Sequence, residues 1–432
     1  MALDLLYAND RQGEYPDSYY AATAIQLPLQ PRLEQDIAVD VCIIGAGYCG
    51  LSSALHLAKR GYSVALLDAH RVGWGASGRN GGQLGSGQRA DQWTLEKRDG
   101  MAVAKQLWDI AEESKALVKS LIAEHNINCD LLPGIAHTDH KPQFVEESRA
   151  YNRHLAKHYG YDQIQELSSD ERRHYINSPA YYGGSIDWGA AHLHPLNFAL
   201  GLGQACLDAG VKIYENSAVT AVEQRTVRTV YGQVCAKTVI YAANGYLGQL
   251  HPKIASRVMP INNFILTSTV MDEVELDDIL AKPIAVADSK FVVNYFRRTI
   301  DNRLLFGGGE NYGYRFPSNI GEFVKKHMLP IFPQLKSLEI EYAWGGTLGI
   351  TVNRMPYFAQ LDANTFTAAG FSGHGLGMAT MAGAILAAAV DGEKERFDLQ
   401  SQIPTYPFPG GSYMRWPLLV AAMLFYKWRD RL

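Results

Sequence analysis

A strand that leads directly into a glycine-rich turn and a helix constrains the fold of this chain more than any other feature. Residues 38–44 (AVDVCII) form a nearly continuous apolar run, which predicts a strand buried on both faces. The turn that follows, GAGYCG, has the pattern GxGxxG, and small apolar residues then recur at helical spacing. A second apolar run, 62–67 (YSVALL), predicts another buried strand that ends at Asp68. This order of elements predicts an open, parallel α/β sheet.

Each glycine of the turn has a physical reason to be glycine if the turn binds a dinucleotide. Gly45 would make the tight turn, Gly47 would let the backbone approach a pyrophosphate, and Gly50 would let the helix pack closely on the strand. The helix N-terminus offers N–H groups and partial positive charge to phosphates. Asp68 is placed to accept hydrogen bonds from ribose hydroxyls. A glycine-rich turn that binds nothing is the alternative, and the strand–helix–strand context argues against it.

Two further glycine-rich stretches favour FAD over NAD. Residues 71–83 (RVGWGASGRNGGQ) form a long loop after the second strand, where an NAD domain would continue into another helix and strand. Near the other end of the chain, residues 366–369 (FTAA) predict a strand that leads into GFSGHGLG and an alanine-rich helix. Free N–H groups at that helix start suit an electron-rich oxygen of a flavin ring.

These motifs resemble those of the D-amino-acid-oxidase superfamily of FAD-dependent amine oxidoreductases, which includes glycine oxidase and monomeric sarcosine oxidase. The similarity spans nearly the whole chain and is greatest to the gamma-glutamylputrescine oxidase branch. The segments that carry it are SYYAA (18–22), GASGRNGGQ (75–83), HLHPLN (192–197), DNRLLFGGG (301–309), NRMP (353–356), GFSGHG (370–375) and YPFPGG (406–411).

The resemblance implies an α/β fold with an α+β second domain, in which a Rossmann-like FAD-binding domain is interleaved with an antiparallel-sheet substrate domain. The period-two alternation within 258–310 is consistent with such antiparallel strands, and residues 211–223 predict a strand pair. The predicted segments are 36–90, 190–250 and 344–400 for the FAD domain, 91–189 and 251–343 for the substrate domain, and 401–432 for a tail with an apolar helix.

The resemblance also implies which residues contact the cofactor. The expected contacts are Gly45, Gly47, Gly50, Asp68, Ala69, Ser77, Gly78, Arg79, Asn80, Gly81, Gly82, Gln83, Val219, Ala243, Gly346, Gly373, His374, Gly375 and Leu376. We expect FAD to be bound non-covalently, because Asn80 and Gly81, and not histidine, occupy the loop where some relatives attach the flavin. No metal is expected, since the histidines and cysteines lack ligand spacing.

Four residues are candidates for the chemistry, in which a flavin takes a hydride from the carbon that bears an amine. Alternation along 294–298 puts Tyr295 and Arg297 on one strand face, and a guanidinium can bind a substrate carboxylate bidentately. The resemblance implies such an arginine in this region. Arg354 of NRMP and His374 of GFSGHG are the other candidates. The alternatives are a salt bridge for Arg297, packing for Arg354, a core position for Tyr295 and a structural, loop-holding role for His374.

Departures from the sarcosine-oxidase pattern shape the predicted reaction. Gly377 stands where that pattern has a lysine for the substrate α-carboxylate, and Arg303 is the basic residue where it has another lysine. A longer substrate that is anchored elsewhere is therefore favoured. The resemblance implies a gamma-glutamylated amine such as gamma-glutamylputrescine, oxidised to an aldehyde and ammonia with O2 reduced to H2O2. The alternatives are a D-amino-acid or glycine-type oxidase, a quinone-linked dehydrogenase, and a flavin-binding module without turnover.

Composition limits the partners and the compartment. With 40 basic and 44 acidic residues the net charge is −4, which argues against a nucleic-acid binder. The five cysteines are dispersed, and no secretory signal is evident, so we expect a cytoplasmic protein with reduced thiols. No apolar run is long enough to span a bilayer. The apolar segment 415–428 predicts either a docked helix or a peripheral membrane contact, and the oligomeric state is left open.

Overall fold

A computed structural model of the chain describes residues 4–311, 313–411 and 417. The strands are β1 (Ile37–Ile44), β2 (Val64–Leu67), β3 (Gln83–Leu84), β4 (Leu132–Asp139), β5 (Ile164–Leu167), β6 (Gly183–His192), β7 (Lys212–Tyr214), β8 (Ala221–Glu223), β9 (Thr226–Arg228), β10 (Gln233–Tyr241), β11 (Met259–Ser268), β12 (Ala285–Asp288), β13 (Tyr295–Arg298), β14 (Leu304–Asn311), β15 (Ile340–Ile350), β16 (Tyr357–Asp362) and β17 (Thr365–Ala369).

The helices are α1 (Tyr19–Thr23), α2 (Tyr48–Lys59), α3 (Gln92–Asp99), α4 (Met101–Glu124), α5 (Pro142–Tyr159), α6 (Ser169–Tyr175), α7 (Pro195–Asp208), α8 (Pro252–Ala255), α9 (Glu273–Asp277), α10 (Ile320–Met328), α11 (Gly375–Val390) and α12 (Glu395–Gln402). Short 3-10 helices lie at Ala76–Gly78, Asn244–Tyr246 and Pro333–Ser337.

The first sheet is built around the predicted strand–turn–helix unit. Its order is β16-β17-β10-β1-β2-β7, with β9 paired to β10 and β8 to β9. The pairs β17–β10, β10–β1, β1–β2 and β2–β7 are parallel. Because parallel strands end at the same edge, the glycine-rich turns after β1 and β17 lie near one another, although they come from opposite ends of the chain.

The second sheet carries the rest of the predicted antiparallel strands. Its order is β15-β11-β14-β13-β12-β4-β6-β3, with β5 also paired to β6. Neighbouring strands are antiparallel except β12 and β4, which are parallel. A hydrophobic core lies between this sheet and α9 and α10. The two sheets confirm the predicted fold class.

Strand pairing corrects two details of the predicted organisation. β15 pairs with β11 along its whole length, so the boundary predicted at residue 344 cuts through a strand of the second sheet. The predicted segment 344–400 placed Gly346 in the FAD domain, but this residue belongs to β15 of the second sheet and lines the cavity from there. The strand pair predicted in 211–223 is also wrong, because β7 joins β2 and β8 pairs with β9.

The predicted apolar segment 415–428 lies outside the described residues, apart from position 417. Within the described part, no single helix has the length and apolar composition needed to cross a bilayer. Helices α11 and α12 meet that requirement only as a pair, across a 120° bend. Most of α11 is buried inside the protein against α2 and α4.

Candidate active site

The ends of β1, β10 and β17 open onto a cavity of about 550 Å³, whose other walls come from the second sheet and the loop after β2. This volume is typical of ligand pockets, which measure roughly 300–1,000 Å³. Most of the residues predicted to contact a cofactor line it, namely Gly45, Gly47, Asp68, Ala69, Ser77, Arg79, Asn80, Gly81, Gln83, Val219, Ala243, Gly346, Gly373, His374, Gly375 and Leu376.

The first glycine turn is packed too tightly for side chains. Gly45 has a φ of +108°, and a Cβ atom there would lie 2.9 Å from the carbonyl oxygen of Ala242. At Gly47 a Cβ atom would come within 2.8 Å of the Ser77 hydroxyl oxygen. Gly50 does not line the cavity; a Cβ there would lie 1.9 Å from the Gly45 carbonyl oxygen. Gly50 therefore shapes the turn and does not face a ligand.

We had expected Gly78 and Gly82 to contact the cofactor, but both lie behind the cavity wall. A Cβ at Gly78 would lie 2.4 Å from the carbonyl oxygen of Gly73. Gly82 has a φ of +74°, and a Cβ there would lie 2.1 Å from the carbonyl oxygen of Leu193. Both glycines let the loop after β2 fold back on its neighbours, so their part in the site is indirect.

Asp68 lies at the end of β2 and is half-buried, with its open side toward the cavity. One carboxylate oxygen accepts the Ala46 N–H at 2.8 Å and the other accepts the His70 N–H at 2.8 Å. Burial raises the pKa of Asp68 to about 6, while these two N–H groups act in the opposite direction. Each oxygen keeps a further lone pair that can accept a hydroxyl.

His374 connects the second glycine turn to the loop after β3. Its Nε2 lies 2.8 Å from the carbonyl oxygen of Gly87, and because a carbonyl only accepts, Nε2 carries the hydrogen. Burial lowers the pKa of His374 to about 4, so the ring is neutral at pH 7. His374 also precedes α11, whose N-terminus has no side-chain cap. The hydrogen bond to Gly87 is the contact expected if His374 has a structural role and holds this loop in place.

Arg297 does not line the cavity, although it lies on the predicted face of β13. The side chain is 3% exposed, and its N–H groups donate to the carbonyl oxygens of Gly81 and Leu193, both at 3.2 Å, and to the Tyr20 hydroxyl at 3.3 Å. The loop at Gly81 lies between the guanidinium and the cavity. The sequence pattern gave the strand face correctly, but it could not show that a loop covers it.

Tyr295 and Arg354 do line the cavity. The Tyr295 ring lies under Gly81, where a Cβ would come within 2.7 Å of it, and its hydroxyl donates to Asn263 Oδ1. Burial raises the pKa of Tyr295, so the phenol keeps its proton. The Arg354 guanidinium lies over the Phe291 ring, 5.0 Å from its centre, and Phe291 also lines the cavity.

Comparison with known proteins shows which family the chain belongs to. Residues 40–389 match the family described as FAD dependent oxidoreductase. The chain belongs to this family. It is 40% identical over 426 residues to gamma-glutamylputrescine oxidoreductase of Escherichia coli K12, which covers 97% of this chain and 99% of that relative. It is 37% identical over 418 residues to the probable oxidoreductase OrdL of Rhizobium meliloti, covering 96% and 97% of the two chains.

The structural comparison agrees with the family. The crystal structure of glycine oxidase from Geobacillus kaustophilus superposes with a TM-score of 0.71 at 21% identity, covering 84% of this chain and 97% of that one. The superposition shows the same fold, and the family match and the 40% identical relative confirm the predicted superfamily and the dependence on FAD.

The residues around the cavity of this FAD-dependent oxidoreductase fit the cofactor. Two helix N-termini without side-chain caps, those of α2 and α11, lie at its walls, and such termini bind phosphates and electron-rich oxygens. Asp68 offers acceptor lone pairs, as a ribose requires. The Nη2 of Arg79, which lines the cavity, is buried without a hydrogen-bond partner in the described part of the protein. This nitrogen can donate to an acceptor atom of a bound ligand.

Sequence reasoning missed the N-terminal strap, by which we mean residues 4–15. Leu6 of the strap lines the cavity beside Asp68 and Ala69. Asp10 pairs with Arg79 Nη1 at 2.8 Å, and this guanidinium is 1% exposed. The strap therefore covers the part of the cavity where we expect the adenosine of FAD. No motif marks it, because its contacts are single polar side chains with no repeating pattern.

His70 anchors the strap, and this predicts loss of stability in acid. Its Nδ1 accepts the Gly13 N–H at 3.0 Å, its Nε2 donates to the Leu6 carbonyl at 2.8 Å, and its ring stacks on Trp74 at 3.7 Å. A second ring proton would face the Gly13 donor, and burial lowers the pKa of His70 to about 4.

His70 takes up its proton near pH 6.5 in the unfolded chain and near pH 4 in the folded one. The stability that neutral His70 contributes is therefore complete above pH 6.5 and is lost as the pH falls to 4. We expect the slope of unfolding free energy against pH to drop by about 1.4 kcal/mol per pH unit in His70→Gln. Denaturant titrations between pH 4.5 and 6 measure this slope. An unchanged slope would show that His70 does not titrate on unfolding.

Proposed function

We propose that this FAD-dependent oxidoreductase oxidises the primary amine of a gamma-glutamylated amine such as gamma-glutamylputrescine. The amine and water would give an aldehyde and ammonia, and O2 would take up the electrons as H2O2. When bound, FAD supplies the ring that accepts the hydride. The proposal is supported by the 40% identity to gamma-glutamylputrescine oxidoreductase along nearly the full length of both chains.

The observation that carries the proposal is a cavity wall with charges of both signs beyond the glycine turns. Arg354 and Arg89 supply cations, and Asp288 supplies an anion. Asp288 is 6% exposed and accepts the N–H groups of Lys290 and Asn294, which close the loop that carries Phe291. A substrate with a carboxylate and an ammonium group matches such a wall.

We assign the carboxylate anchor to Arg354. Its guanidinium is supported from one face by Phe291, an arrangement that leaves the edge N–H groups suited to a bidentate carboxylate. Arg89 lines the same cavity and is oriented by a bond from its Nε to the Ser372 carbonyl at 3.1 Å. Tyr295 and Asn263, which also line the cavity, provide polar contacts for the middle of a long substrate.

The environment of Gly377 supports a longer substrate than sarcosine. Gly377 does not line the cavity, and a Cβ there would lie 2.6 Å from the Ser114 hydroxyl oxygen and 3.0 Å from Leu84 Cδ1. Any side chain at this position would therefore enter the packing between α11 and α4. A lysine could not reach a substrate from Gly377 in this packing, so the carboxylate has to be bound elsewhere.

An anaerobic substrate panel tests the proposed function. The purified, FAD-loaded protein is mixed with gamma-glutamylputrescine, putrescine, glycine, sarcosine and D-alanine, and the loss of flavin absorbance is followed. We expect gamma-glutamylputrescine to reduce the flavin at concentrations at least about tenfold lower than the unmodified amines, since one charged hydrogen-bonded contact contributes about 1.5–3 kcal/mol.

The same samples separate the alternatives. Reduction by D-alanine or glycine, with none by gamma-glutamylputrescine, would identify an amino-acid oxidase or dehydrogenase instead. Admitting air to the reduced protein tests the acceptor, because an oxidase is reoxidised within seconds and forms peroxide. Slow reoxidation by air and fast reoxidation by a soluble quinone would identify a dehydrogenase. Failure of every amine to reduce the flavin would favour a module without turnover.

A further inference from the structure

A mostly buried polar cluster extends from the cavity wall into the protein and has no part in the site described so far. It consists of Ser86, Glu112, Lys115, Tyr161 and Asp187, which come from the loop after β3, from α4, from the segment before β5 and from β6. Lys115 is 5% exposed and Asp187 is 3% exposed. A lysine and a carboxylate are seldom buried without a reason, because removing their charges from water is costly.

The hydrogen bonds of the cluster have a defined direction. The Lys115 ammonium can only donate, and it does so to the Ser86 hydroxyl at 2.6 Å and to the Tyr161 hydroxyl at 3.1 Å. The Asp187 carboxylate can only accept, and it receives Ser86 on Oδ2 at 2.5 Å and Tyr161 on Oδ1 at 2.6 Å. The Ser86 and Tyr161 hydroxyls also lie 2.8 Å apart, but each has one hydrogen, which Asp187 accepts, so neither donates to the other. Burial and the nearby Asp187 charge raise the pKa of Tyr161, so the phenol stays protonated.

The two oxygens of Asp187 are not equivalent. Besides Tyr161, Oδ1 accepts the backbone N–H groups of Gly189 at 3.0 Å and of Ala190 at 3.2 Å. Oδ2 has Ser86 as its partner. A proton that reaches Asp187 through Ser86 would therefore bind Oδ2, the oxygen with more free acceptor capacity.

The cluster connects the cavity to the protein surface. Of its five members, Ser86 lines the cavity. At the other end, Lys115 pairs with Glu112 at 2.7 Å, and the Glu112 side chain is 25% exposed. Glu112 also accepts the Gly87 N–H at 3.2 Å, which links the cluster to the same loop that His374 holds. The arrangement is a continuous hydrogen-bonded path from the cavity to solvent.

An amine oxidase needs such a path. A primary alkylamine has a pKa near 10, so at pH 7 roughly one molecule in a thousand is neutral. The carbon cannot release a hydride while its nitrogen holds three hydrogens, because the nitrogen lone pair must form the new C=N bond. A substrate that binds as the ammonium ion must therefore lose a proton in the site before the hydride leaves.

We propose that Ser86 and Asp187 take up this proton. The substrate N–H donates to the second lone pair of Ser86 Oγ, the Ser86 hydrogen passes to Asp187 Oδ2, and Ser86 retains the substrate proton in its place. The ammonium becomes a neutral amine and the carboxylate becomes a carboxylic acid, so charge and atoms balance. Lys115 holds Ser86 in position through its other lone pair. The inference rests on the amine oxidation proposed above.

Other titratable and charged groups face this path and define the rival proton acceptors. His137 of β4 lines the cavity and interacts electrostatically with Asp187. His374 lies in the fields of Lys115, His137 and Arg89. His374 Nε2 carries its hydrogen toward Gly87, so a further proton on this ring would bind Nδ1. His137 and His374 are therefore the rival acceptors that the experiment has to separate.

The test is the pH dependence of anaerobic flavin reduction by gamma-glutamylputrescine between pH 7 and 10. The variants are Ser86→Ala, Asp187→Asn, His137→Gln and His374→Gln, with Ser114→Ala as the matched control. Ser114 is a buried serine of α4 whose hydroxyl donates to the Ala111 carbonyl at 2.7 Å, outside the cluster. Flavin content is measured first, so that rates refer to the loaded protein.

We expect Ser86→Ala and Asp187→Asn to lower the reduction rate about 100-fold at pH 7, a usual contribution of a general base. The deficit should shrink to about threefold at pH 10, where much of the amine is already neutral in solution. A structural defect would lower the rate equally at both pH values, and this result would overturn the inference. A pH-dependent deficit confined to His137→Gln or to His374→Gln would also overturn it. Where Asp187→Asn loses FAD, Ser86→Ala decides.

Failure of this inference is distinct from failure of the proposed function. If the wild-type flavin is reduced by gamma-glutamylputrescine and Ser86→Ala has the wild-type pH profile, the proton path is wrong and the function stands. If no amine reduces the wild-type flavin at any pH, the proposed function is wrong, and the proton path is wrong with it.

Discussion

Replacing Gly50 with alanine is expected to yield a protein that purifies without FAD and unfolds at a markedly lower temperature. Alanine is the better helix former by about 1 kcal/mol, so propensity alone would stabilise α2. The added methyl group, however, would lie 1.9 Å from the Gly45 carbonyl oxygen and 3.4 Å from Ile43 Cγ2. The nearest of these atoms belongs to the backbone of the glycine turn, so the turn itself would have to move.

Overpacking of this kind costs about 3 kcal/mol, which corresponds to roughly 100-fold weaker binding if the strain falls on the FAD-bound form. The ratio of flavin to protein absorbance after purification and the FAD dissociation constant measure the effect. The matched control is Gly321→Ala in α10, where a Cβ would lie 3.2 Å from Ile340 Cδ1, the end of a flexible side chain. We expect this control to keep full FAD content. Equal FAD affinity in both variants would contradict the prediction.

The local part of the fold could be predicted because a short stretch of sequence determines it. The apolar run of β1, the turn at Gly45 and the helical spacing of α2 are neighbours in the chain, and steric limits leave few residue choices there. The second turn, at Gly370, could be recognised for the same reason. Their meeting across β10 follows from parallel pairing, which the order of elements implied.

The substrate side could not be predicted in the same way, because it depends on how distant segments cover one another. Alternation placed Arg297 on the correct face of β13, but only the structure shows the loop at Gly81 lying over it. The contact of Asp10 with Arg79 joins residues from two segments that share no pattern. The proton path through Ser86 and Asp187 likewise depends on three-dimensional contacts between side chains that are unremarkable in sequence.

Two arginines that the sequence treated as equal candidates are expected to behave in opposite ways when replaced by alanine. Arg354→Ala should keep its FAD and its unfolding temperature but raise the half-saturating concentration of gamma-glutamylputrescine about 10- to 100-fold, since a charged hydrogen-bonded contact contributes about 1.5–3 kcal/mol. The reason is that Arg354 lines the cavity and packs on Phe291, and no core contact depends on its charge. Anaerobic titration of flavin reduction measures this concentration.

Arg297→Ala should do the reverse. Its guanidinium holds the carbonyl oxygens of Gly81 and Leu193 together, and removing it leaves buried acceptors unpaired, at a cost of about 3–5 kcal/mol in unfolding free energy. The loop at Gly81 should loosen and FAD should dissociate faster, while the loaded fraction keeps the wild-type substrate requirement. Arg298→Ala is the control, because Arg298 lies on the same strand but bonds to Asp277 and Asn302, so it should lower stability without releasing FAD. If Arg297→Ala keeps FAD and raises the substrate requirement, the carboxylate anchor is Arg297 and not Arg354.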